Sequence, residues 1–296
     1  MVKLLSESAP AKINLFLRVV GRRPDGYHEL DSVFLPVSLS DRVTLAIRPD
    51  APSRVSIRCD DAALPTDDRN LAVRAANAFM AGFGIEMDIA IELRKRIPMG
   101  AGLGGGSSDA GAVLRMLAAL CRIDDSTRLA EIAVRLGADV PFFLNPMPAR
   151  VGGIGEQLTP LPSLPDLSFV IAVPPLETPT AAVYRALRPE DWSGPASEED
   201  IRAIIEGGIE PRLLVNDLAK PAMAQWPAIA SLKAILEEAG AYGAAMTGSG
   251  CGVFGIFDSL SRAETAANEV RRRAPDSRVY AVSTTNPQDQ VNRLRM

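Results

Sequence analysis

Residues Pro98–Ser108 read PMGAGLGGGSS, and five glycines fall within the seven residues from Gly100 to Gly106. Glycine lets the backbone approach a ligand closely and adopt a positive φ. The apolar residues that follow recur every three or four positions, which predicts a helix. Backbone N–H groups at the start of a helix attract anions, and the helix dipole favours negative charge there. The stretch therefore predicts a phosphate-binding loop whose simplest ligand is a polyphosphate.

Three known types of glycine-rich loop were compared with this stretch. A Walker A loop requires lysine where this chain has Gly106, and a protein-kinase loop requires valine where it has Ser107. The glycines do satisfy the GxGxxG pattern of a dinucleotide site, but Asp124 and Asp125 lie between two predicted helices and not at the end of a strand. A dinucleotide site and a turn without a ligand remain the alternatives.

The composition limits the class of protein. The chain has 296 residues, a length that suits two domains, and its 47% apolar and 23% charged residues are ordinary for a globular protein. The formal net charge of −4 argues against a broad nucleic-acid-binding face. Three widely spaced cysteines without a CxxC motif predict buried reduced thiols, not a disulfide framework or a zinc site.

The N-terminal residues and the length of the apolar runs indicate where in the cell the protein is expected. The N-terminal residues lack the continuous apolar region of a signal peptide. No apolar run reaches the length of about 18 residues that a membrane span needs. We therefore expect a cytoplasmic protein with no membrane partner. The polar tail 286–296 is expected to be mobile.

Hydrophobic periodicity divides the chain into strands and helices. The predicted strands are 11–20, 43–47, 54–59, 87–93, 167–173, 251–257 and 277–283. The predicted helices are 70–83, 110–121 with Ser107 or Ser108 as cap, 126–136 with Ser126 as cap, 180–187, 198–206, 228–239 and 261–273. The Pro-rich stretch 158–165 predicts a connection between domains 1–157 and 158–296. This mixture predicts an α+β fold.

Two residues outside the loop suit general-base chemistry. Asp139 follows a predicted helix end, precedes Pro141 and lies in an apolar stretch, where a carboxylate could accept a hydroxyl proton. Lys12 shares one face of the first predicted strand with Asn14, so both side chains can point into one site. A lysine near Asp139 would keep that carboxylate ionised. A capping aspartate and a solvent-exposed lysine are the structural alternatives.

The order of several motifs resembles that of the GHMP kinase superfamily, which includes galactokinase, homoserine kinase and mevalonate kinase. PMGAGLGGGSSDAG from Pro98 is similar to its second motif, and AMTGSGCGVFGIF at Ala245–Phe257 resembles its third. The first motif is matched by Ala9–Phe34, which includes PDGYHELDSVF. LGADVPFF at Leu136–Phe143, DRNLAVRAA around Asn70 and VGGIGEQLTP from Val151 are similar to one branch, which phosphorylates a cytidine-diphosphate-linked polyol in the non-mevalonate isoprenoid pathway.

The resemblance implies a two-domain GHMP kinase fold. The N-terminal domain is expected to resemble ribosomal protein S5 domain 2, the C-terminal domain is expected to be ferredoxin-like, and the active site should lie in the cleft between them. The implied reaction transfers a phosphoryl group from ATP to the 2-hydroxyl of the polyol. ATP and Mg²⁺ are the expected cofactors, and no nucleic-acid partner is expected. We expect a monomer or a weak homodimer.

The resemblance also assigns roles to residues. Lys12 and Asp139 are the expected catalytic residues. The cytidine-linked substrate is expected to contact Asn14, Tyr27, His28, Thr180, Tyr184 and Gly248, with Tyr27 and Tyr184 stacking on the base and His28 hydrogen-bonding it. A core position is the alternative for Tyr184.

ATP is expected to contact the loop and two residues before it. The expected ATP-binding residues are Asn70, Lys95, Pro98, Met99, Gly100, Ala101, Gly102, Leu103, Gly104, Gly105, Gly106, Ser107 and Ser108. A solvated position is the alternative for Lys95. No dedicated metal site is expected, since phosphate oxygens and water would hold Mg²⁺ with Ser108 as one candidate ligand. Asp109, where related sequences have Asn, leaves open whether that group approaches the metal.

Two further hypotheses remain at this point. The chain could be another kinase of the superfamily, such as a homoserine or mevalonate kinase, which would need no cytosine pocket. It could also be a non-catalytic nucleotide-binding relative, although Lys12 and Asp139 together argue against that role.

Overall fold

Two β-sheets, one in each half of the chain, form the framework of the computed structural model, which describes residues 2–49, 51–162 and 164–285. The predicted mobile tail 286–296 lies outside these residues. The first sheet contains β1 (Lys3–Arg22), β2 (His28–Pro49), β3 (Arg54–Cys59), β4 (Met87–Arg94), β5 (Ala149–Gly152) and β6 (Gln157–Pro160). Its order is β3-β4-β2-β5-β6, with β1 paired to β2, and only β3 and β4 run parallel.

Strands β1 and β2 are much longer than the predicted strands 11–20 and 43–47. Residues 31–37 of β2 are all buried, so apolar residues do not alternate there with exposed ones. Burial on both faces removes the period of two from which a strand is recognised. The face of β1 that carries Ile13 and Leu15 lies in the core, and the opposite face with Lys12 and Asn14 is buried too.

The second sheet has the ferredoxin-like arrangement that the resemblance implied. It contains β7 (Ser168–Val173), β8 (Gly243–Met246), β9 (Val253–Phe257) and β10 (Arg278–Ser283) in the order β10-β7-β9-β8. All its pairings are antiparallel, and helices separate β7 from β8 and β9 from β10. The sequence did not predict β8, because a four-residue strand of glycine, alanine and methionine has low β-propensity.

Eight α-helices lie in the described ranges, and most match the predictions. They are α1 (Leu71–Phe83), α2 (Gly105–Cys121), α3 (Ser126–Leu136), α4 (Thr180–Ala186), α5 (Glu198–Ile205), α6 (Ala219–Gln225), α7 (Pro227–Glu238) and α8 (Leu260–Arg273). The predicted cap of α3 was wrong: Asp125 is the N-cap, and its side chain accepts a hydrogen bond from the Arg128 amide. Helix α6 was not predicted, because it is short and contains Pro221.

One hydrophobic core joins the two sheets. Residues of β1 and β2, such as Ile13 and Val37, belong to the same buried cluster as Phe169 of β7 and Phe254 of β9. A second cluster lies between the first sheet and helices α1, α2 and α3. Strand β6 runs to Pro160, so the predicted connection 158–165 begins inside a strand. The division into domains 1–157 and 158–296 stays a prediction.

The three cysteines differ in burial, although the composition predicted that all of them would be buried. All three cysteines are free, and Cys251 is buried, whereas Cys59 and Cys121 are partly exposed. Within the described ranges, no helix combines the length and the apolar character that crossing a bilayer requires.

Candidate active site

The glycine-rich loop is fastened on two sides by its carbonyl groups. The Lys12 amide of β1 donates to the Leu103 carbonyl at 3.0 Å, and the amides of Cys251 and Gly252 donate to the carbonyls of Gly100 and Ala101 at 3.2 Å each. The C=O and N–H groups of a trans peptide point in opposite directions. The loop N–H groups that follow these carbonyls therefore point away from the fastening and can face a ligand.

Helix α2 begins inside the loop, and this corrects the predicted cap. Its N-cap is Gly104 with φ 71°, so Ser107 and Ser108 lie in the first turn and cap nothing. The Ser108 hydroxyl is buried and donates to the Pro10 carbonyl at 2.7 Å. The geometry turns this hydroxyl toward β1 and does not support its predicted contact with phosphate or Mg²⁺. The start of α2 instead offers unpaired backbone N–H groups.

The loop and the third motif touch backbone to backbone. A Cβ atom at Gly102, whose φ is +73°, would overlap the Thr247 carbonyl oxygen, and one at Gly248 would lie 2.9 Å from the Gly102 Cα. Asn216 holds the third motif by donating to the carbonyls of Met246 and Gly248 at 2.8 and 2.9 Å. These positions require glycine because no side chain fits between the two turns.

The two expected catalytic residues meet in one place. Lys12 Nζ lies 3.6 Å from Asp139 Oδ2 and donates to Asn14 Oδ1 at 2.6 Å. The lysine is buried, and its ammonium lies 4.5 Å from the centroid of the Phe34 ring. Burial lowers the pKa of Lys12, and the Asp139 carboxylate opposes that shift. The solvent-exposed alternative for Lys12 is therefore wrong.

Asn14 links this pair to the third motif. Its backbone amide donates to the Thr247 hydroxyl at 3.0 Å, and its side-chain amide donates to Ser32 Oγ at 2.9 Å. Because its side-chain oxygen and nitrogen both form hydrogen bonds, the Asn14 side chain has a fixed orientation. Its oxygen in turn orients the Lys12 ammonium that donates to it.

Aromatic side chains gather at another part of the same site. The rings of His28 and Tyr184 stack with centroids 5.2 Å apart, and the Trp192 ring meets His28 edge-on at 6.0 Å. Burial, and then the nearby charge of Arg22, lower the pKa of His28. Tyr27 is 60% exposed and lies at the rim. Trp192 was not predicted, because it belongs to no motif.

Glycines of the loop, the Lys12–Asp139 pair and the aromatic side chains line one cleft of about 890 Å³. Of the predicted residues it is lined by Lys12, Asn14, Tyr27, His28, Gly100, Gly102, Gly104, Asp139, Thr180, Tyr184 and Gly248. The Thr180 hydroxyl is 2.8 Å from the Ser249 hydroxyl across its wall. The structure thus brings together the loop, the Lys12–Asp139 pair and the aromatic residues, which are far apart in sequence.

Several predicted ATP-binding residues lie outside this cleft. Pro98 and Met99 line a neighbouring pocket of about 350 Å³, together with Asp61 and Glu177. The side chains of Ala101 and Leu103 are buried in the core, so they can contact a ligand only through their backbone. Gly105, Gly106 and Ser107 form the first turn of α2.

Lys95 is not solvated, and its ammonium is already paired within the protein. Its ammonium pairs with the carboxylates of Asp41 and Asp109, the latter at 2.6 Å, and its side chain is 6% exposed. Asp41 also accepts the amides of Arg96 and Ile97. These ion pairs do not favour the predicted contact with ATP. They also give Asp109 a partner other than a metal.

Asn70 has a structural role in this state of the protein. Its side chain caps α1 by accepting the Ala72 amide at 2.9 Å, and it donates to the Pro65 carbonyl at 3.0 Å. The predicted contact with adenine stays a prediction. Among the described residues, no group of three or more His, Cys, Asp or Glu side chains is placed to hold a metal ion.

The chain is similar to known families, sequences and structures. The model of the GHMP kinases N terminal domain matches residues 70–145, and that of the GHMP kinases C terminal domain matches residues 209–276. A 4-diphosphocytidyl-2-C-methyl-D-erythritol kinase of Anaeromyxobacter dehalogenans is 44% identical over 271 residues, which cover 90% of this chain and 85% of that protein. The protein of the same name from Citrifermentans bemidjiense is 41% identical, with 92% and 96% covered.

A solved structure agrees with these sequences. The crystal structure of a 4-(cytidine 5'-diphospho)-2C-methyl-D-erythritol kinase superimposes with a TM-score of 0.81 at 39% identity. The match covers 95% of this chain and 100% of the other. The similarity therefore extends over nearly the whole chain and includes both halves of it.

Proposed function

Because this chain belongs to the GHMP kinase family, we propose that it transfers the γ-phosphoryl group of ATP to the 2-hydroxyl of 4-diphosphocytidyl-2-C-methyl-D-erythritol. One observation carries the proposal: a single cleft combines the glycine-rich loop, the Lys12–Asp139 pair and an aromatic cluster at His28. The loop suits ATP, the pair suits proton transfer, and the aromatic cluster suits a cytosine ring.

Asp139 acts as the general base in this proposal. Its carboxylate takes the proton of the 2-hydroxyl while that oxygen forms a bond to the γ-phosphorus. The bond between the γ-phosphorus and the bridging oxygen breaks, and ADP leaves with the electron pair. Lys12, at 3.6 Å, keeps the carboxylate ionised and offsets negative charge on the reacting groups. Asn14 positions the lysine.

The base of the substrate binds beside the aromatic cluster. His28 already stacks on Tyr184, so the cytosine ring stacks on the exposed Tyr27 and packs against that pair. The ring nitrogens of His28 supply hydrogen bonds to the base. Thr180 and Gly248 line the cleft where the polyol would lie.

Mg²⁺ accompanies ATP in this proposal. The Ser108 hydroxyl and one carboxylate oxygen of Asp109 already have protein partners, so phosphate oxygens and water would supply the metal's ligands. When bound, the ion neutralises charge on the phosphates. A cytoplasmic location and a monomeric or weakly dimeric state remain predictions from the sequence.

An assay of the purified protein tests this function. ATP and 4-diphosphocytidyl-2-C-methyl-D-erythritol should give ADP and a monophosphorylated product, identified by mass spectrometry and phosphorus NMR. Homoserine and mevalonate at equal concentration should give little product, because neither has a base for the aromatic cluster. Absence of ADP release above background with the cytidine substrate would contradict the proposal, and preferential use of another acceptor would favour a different kinase activity.

A further inference from the structure

The charge of the cleft differs from that of the whole protein. The chain has a formal net charge of −4, yet the cleft is lined by three cations, Lys12, Arg22 and Arg185, and by one carboxylate, Asp139. Lys12 and Asp139 pair with each other at 3.6 Å. Two guanidinium groups therefore remain to meet negative charge on a ligand.

Arg22 lies beside the aromatic cluster at the end of β1. It is directly opposite His28 in the register of β1 and β2. Its positive charge, after burial, lowers the pKa of the His28 imidazole. Its Nε donates only a long hydrogen bond, 3.4 Å, to the Gly26 carbonyl. Within the described residues it forms no ion pair, whereas the adjacent Arg23 pairs with Asp25 at 3.0 Å.

Arg185 lies in the last turn of α4, next to Tyr184 of the aromatic cluster. Thr180, Ala181, Tyr184 and Arg185 line the cleft from one face of α4, so the guanidinium follows directly after the ring that stacks on His28. In the part of the chain that the structure describes, Arg185 forms no ion pair. Arg188, three residues on, lies outside the cleft lining and is 3.9 Å from Glu190.

We propose that Arg22 and Arg185 form a subsite for the diphosphate group of the nucleotide-linked substrate. The inference rests on the proposed function. It adds the residues that bind the diphosphate, which links the base of the substrate to the polyol. A diphosphate diester carries one negative charge on each phosphate, so two guanidinium groups balance it. Guanidinium binds phosphate oxygens by paired charge-assisted hydrogen bonds, and it is less strongly hydrated than an ammonium group.

The triphosphate of ATP is a weaker candidate for these arginines. Backbone N–H groups of the glycine-rich loop and the start of α2 already provide an anion site. Each arginine instead neighbours an aromatic residue of the cluster. Arg22 lies opposite His28, and Arg185 follows Tyr184 in α4.

The test compares ligands that differ only in phosphate. Binding of cytidine and of CDP is measured by calorimetry or competition for Arg22→Ala, Arg185→Ala and the double variant. We expect CDP to bind roughly tenfold more weakly to each single variant and roughly a hundredfold more weakly to the double variant. Cytidine should change by less than about twofold, since it lacks the diphosphate. Arg23→Ala and Arg188→Ala are the matched controls and should bind both ligands normally.

Kinetics add a second readout. The single variants should raise KM for the cytidine-linked substrate by roughly tenfold and leave KM for ATP unchanged. Equal loss of cytidine and CDP binding would overturn the proposal, because the arginines would then only support the fold of the base site. A raised KM for ATP with normal CDP binding would overturn it in favour of the triphosphate. The binding arm needs no turnover, so failure of the proposed activity would be seen separately.

Discussion

At the scale of single residues, the Lys12–Asp139 pair gives the clearest test of chemistry. Asp139→Asn keeps the size of the side chain but removes the base, so we expect kcat to fall roughly 10²-fold or more. KM for ATP should stay nearly unchanged, because the glycine-rich loop that is proposed to bind ATP does not include Asp139. Steady-state kinetics of the variant measure both values. The exposed Asp124→Asn serves as control, and an unchanged kcat in Asp139→Asn would rule out a base at this position.

Asp109 gives a residue-scale prediction about pH. Burial raises its pKa from the ordinary 3.8 to about 7; Lys95 opposes this shift, and the negative charge of Asp41 adds to it. A carboxyl with a raised folded-state pKa binds more protons in the folded protein than in the unfolded one. This group therefore lowers the free energy of unfolding as pH rises between these two values, by at most about 1.4 kcal/mol per pH unit.

The variant Asp109→Asn should remove that dependence. Urea unfolding at about pH 4.5 and about pH 7 should show the variant gaining stability relative to the unaltered protein at the higher pH. The exposed Asp258→Asn should show no such gain. If Asp109→Asn instead loses stability relative to the unaltered protein as pH rises, the ion pairs of Lys95 with Asp41 and Asp109 stabilise the fold. The predicted direction of the pH dependence would then be wrong.

At the scale of elements, the contact between the glycine-rich loop and the third motif limits the side chains allowed. Gly102→Ala combines a positive φ with an overlap on the Thr247 carbonyl. Gly84→Ala is a matched control, because Gly84 also has a positive φ, +64°, but no atom within 4 Å of the added Cβ. The control should cost about 1–2 kcal/mol of unfolding free energy.

Gly102→Ala should cost at least about 2 kcal/mol more than the control and should raise KM for ATP. Urea unfolding and steady-state kinetics measure the two effects. Equal losses in both alanine variants would mean that the turns can move apart without penalty.

Sequence reasoning succeeded where the signal is local. The glycines, the helix periods and the strand that carries Lys12 and Asn14 are all visible in short windows. It failed for Lys95, which lies between two other charged residues and looks solvated, because its partner Asp41 lies 54 residues away. Trp192 was missed because it belongs to no motif, and only the fold brings its ring to His28. Asn216 could have been noticed, since it and Asp217 interrupt the apolar stretch LLVNDL, and buried polar residues usually bind something.

At the scale of the whole molecule, the shared core predicts how the protein unfolds. One buried cluster contains residues of both sheets, so neither half can lose its packing alone. We expect a single calorimetric transition whose van't Hoff and calorimetric enthalpies agree. Phe79→Ala, in the cluster under α1, and Phe169→Ala, in the shared cluster, should both shift this same transition. Two transitions, each moved by one variant, would show that the halves unfold independently.

The fastening of the loop carbonyls by β1 and the third motif has a consequence for the thermodynamics of nucleotide binding. A mobile loop would have to lose conformational entropy before its N–H groups could converge on a phosphate. Here the backbone hydrogen bonds to Gly100, Ala101 and Leu103 hold that shape beforehand. The entropy is lost during folding, so little of the interaction with ATP is offset by ordering the site.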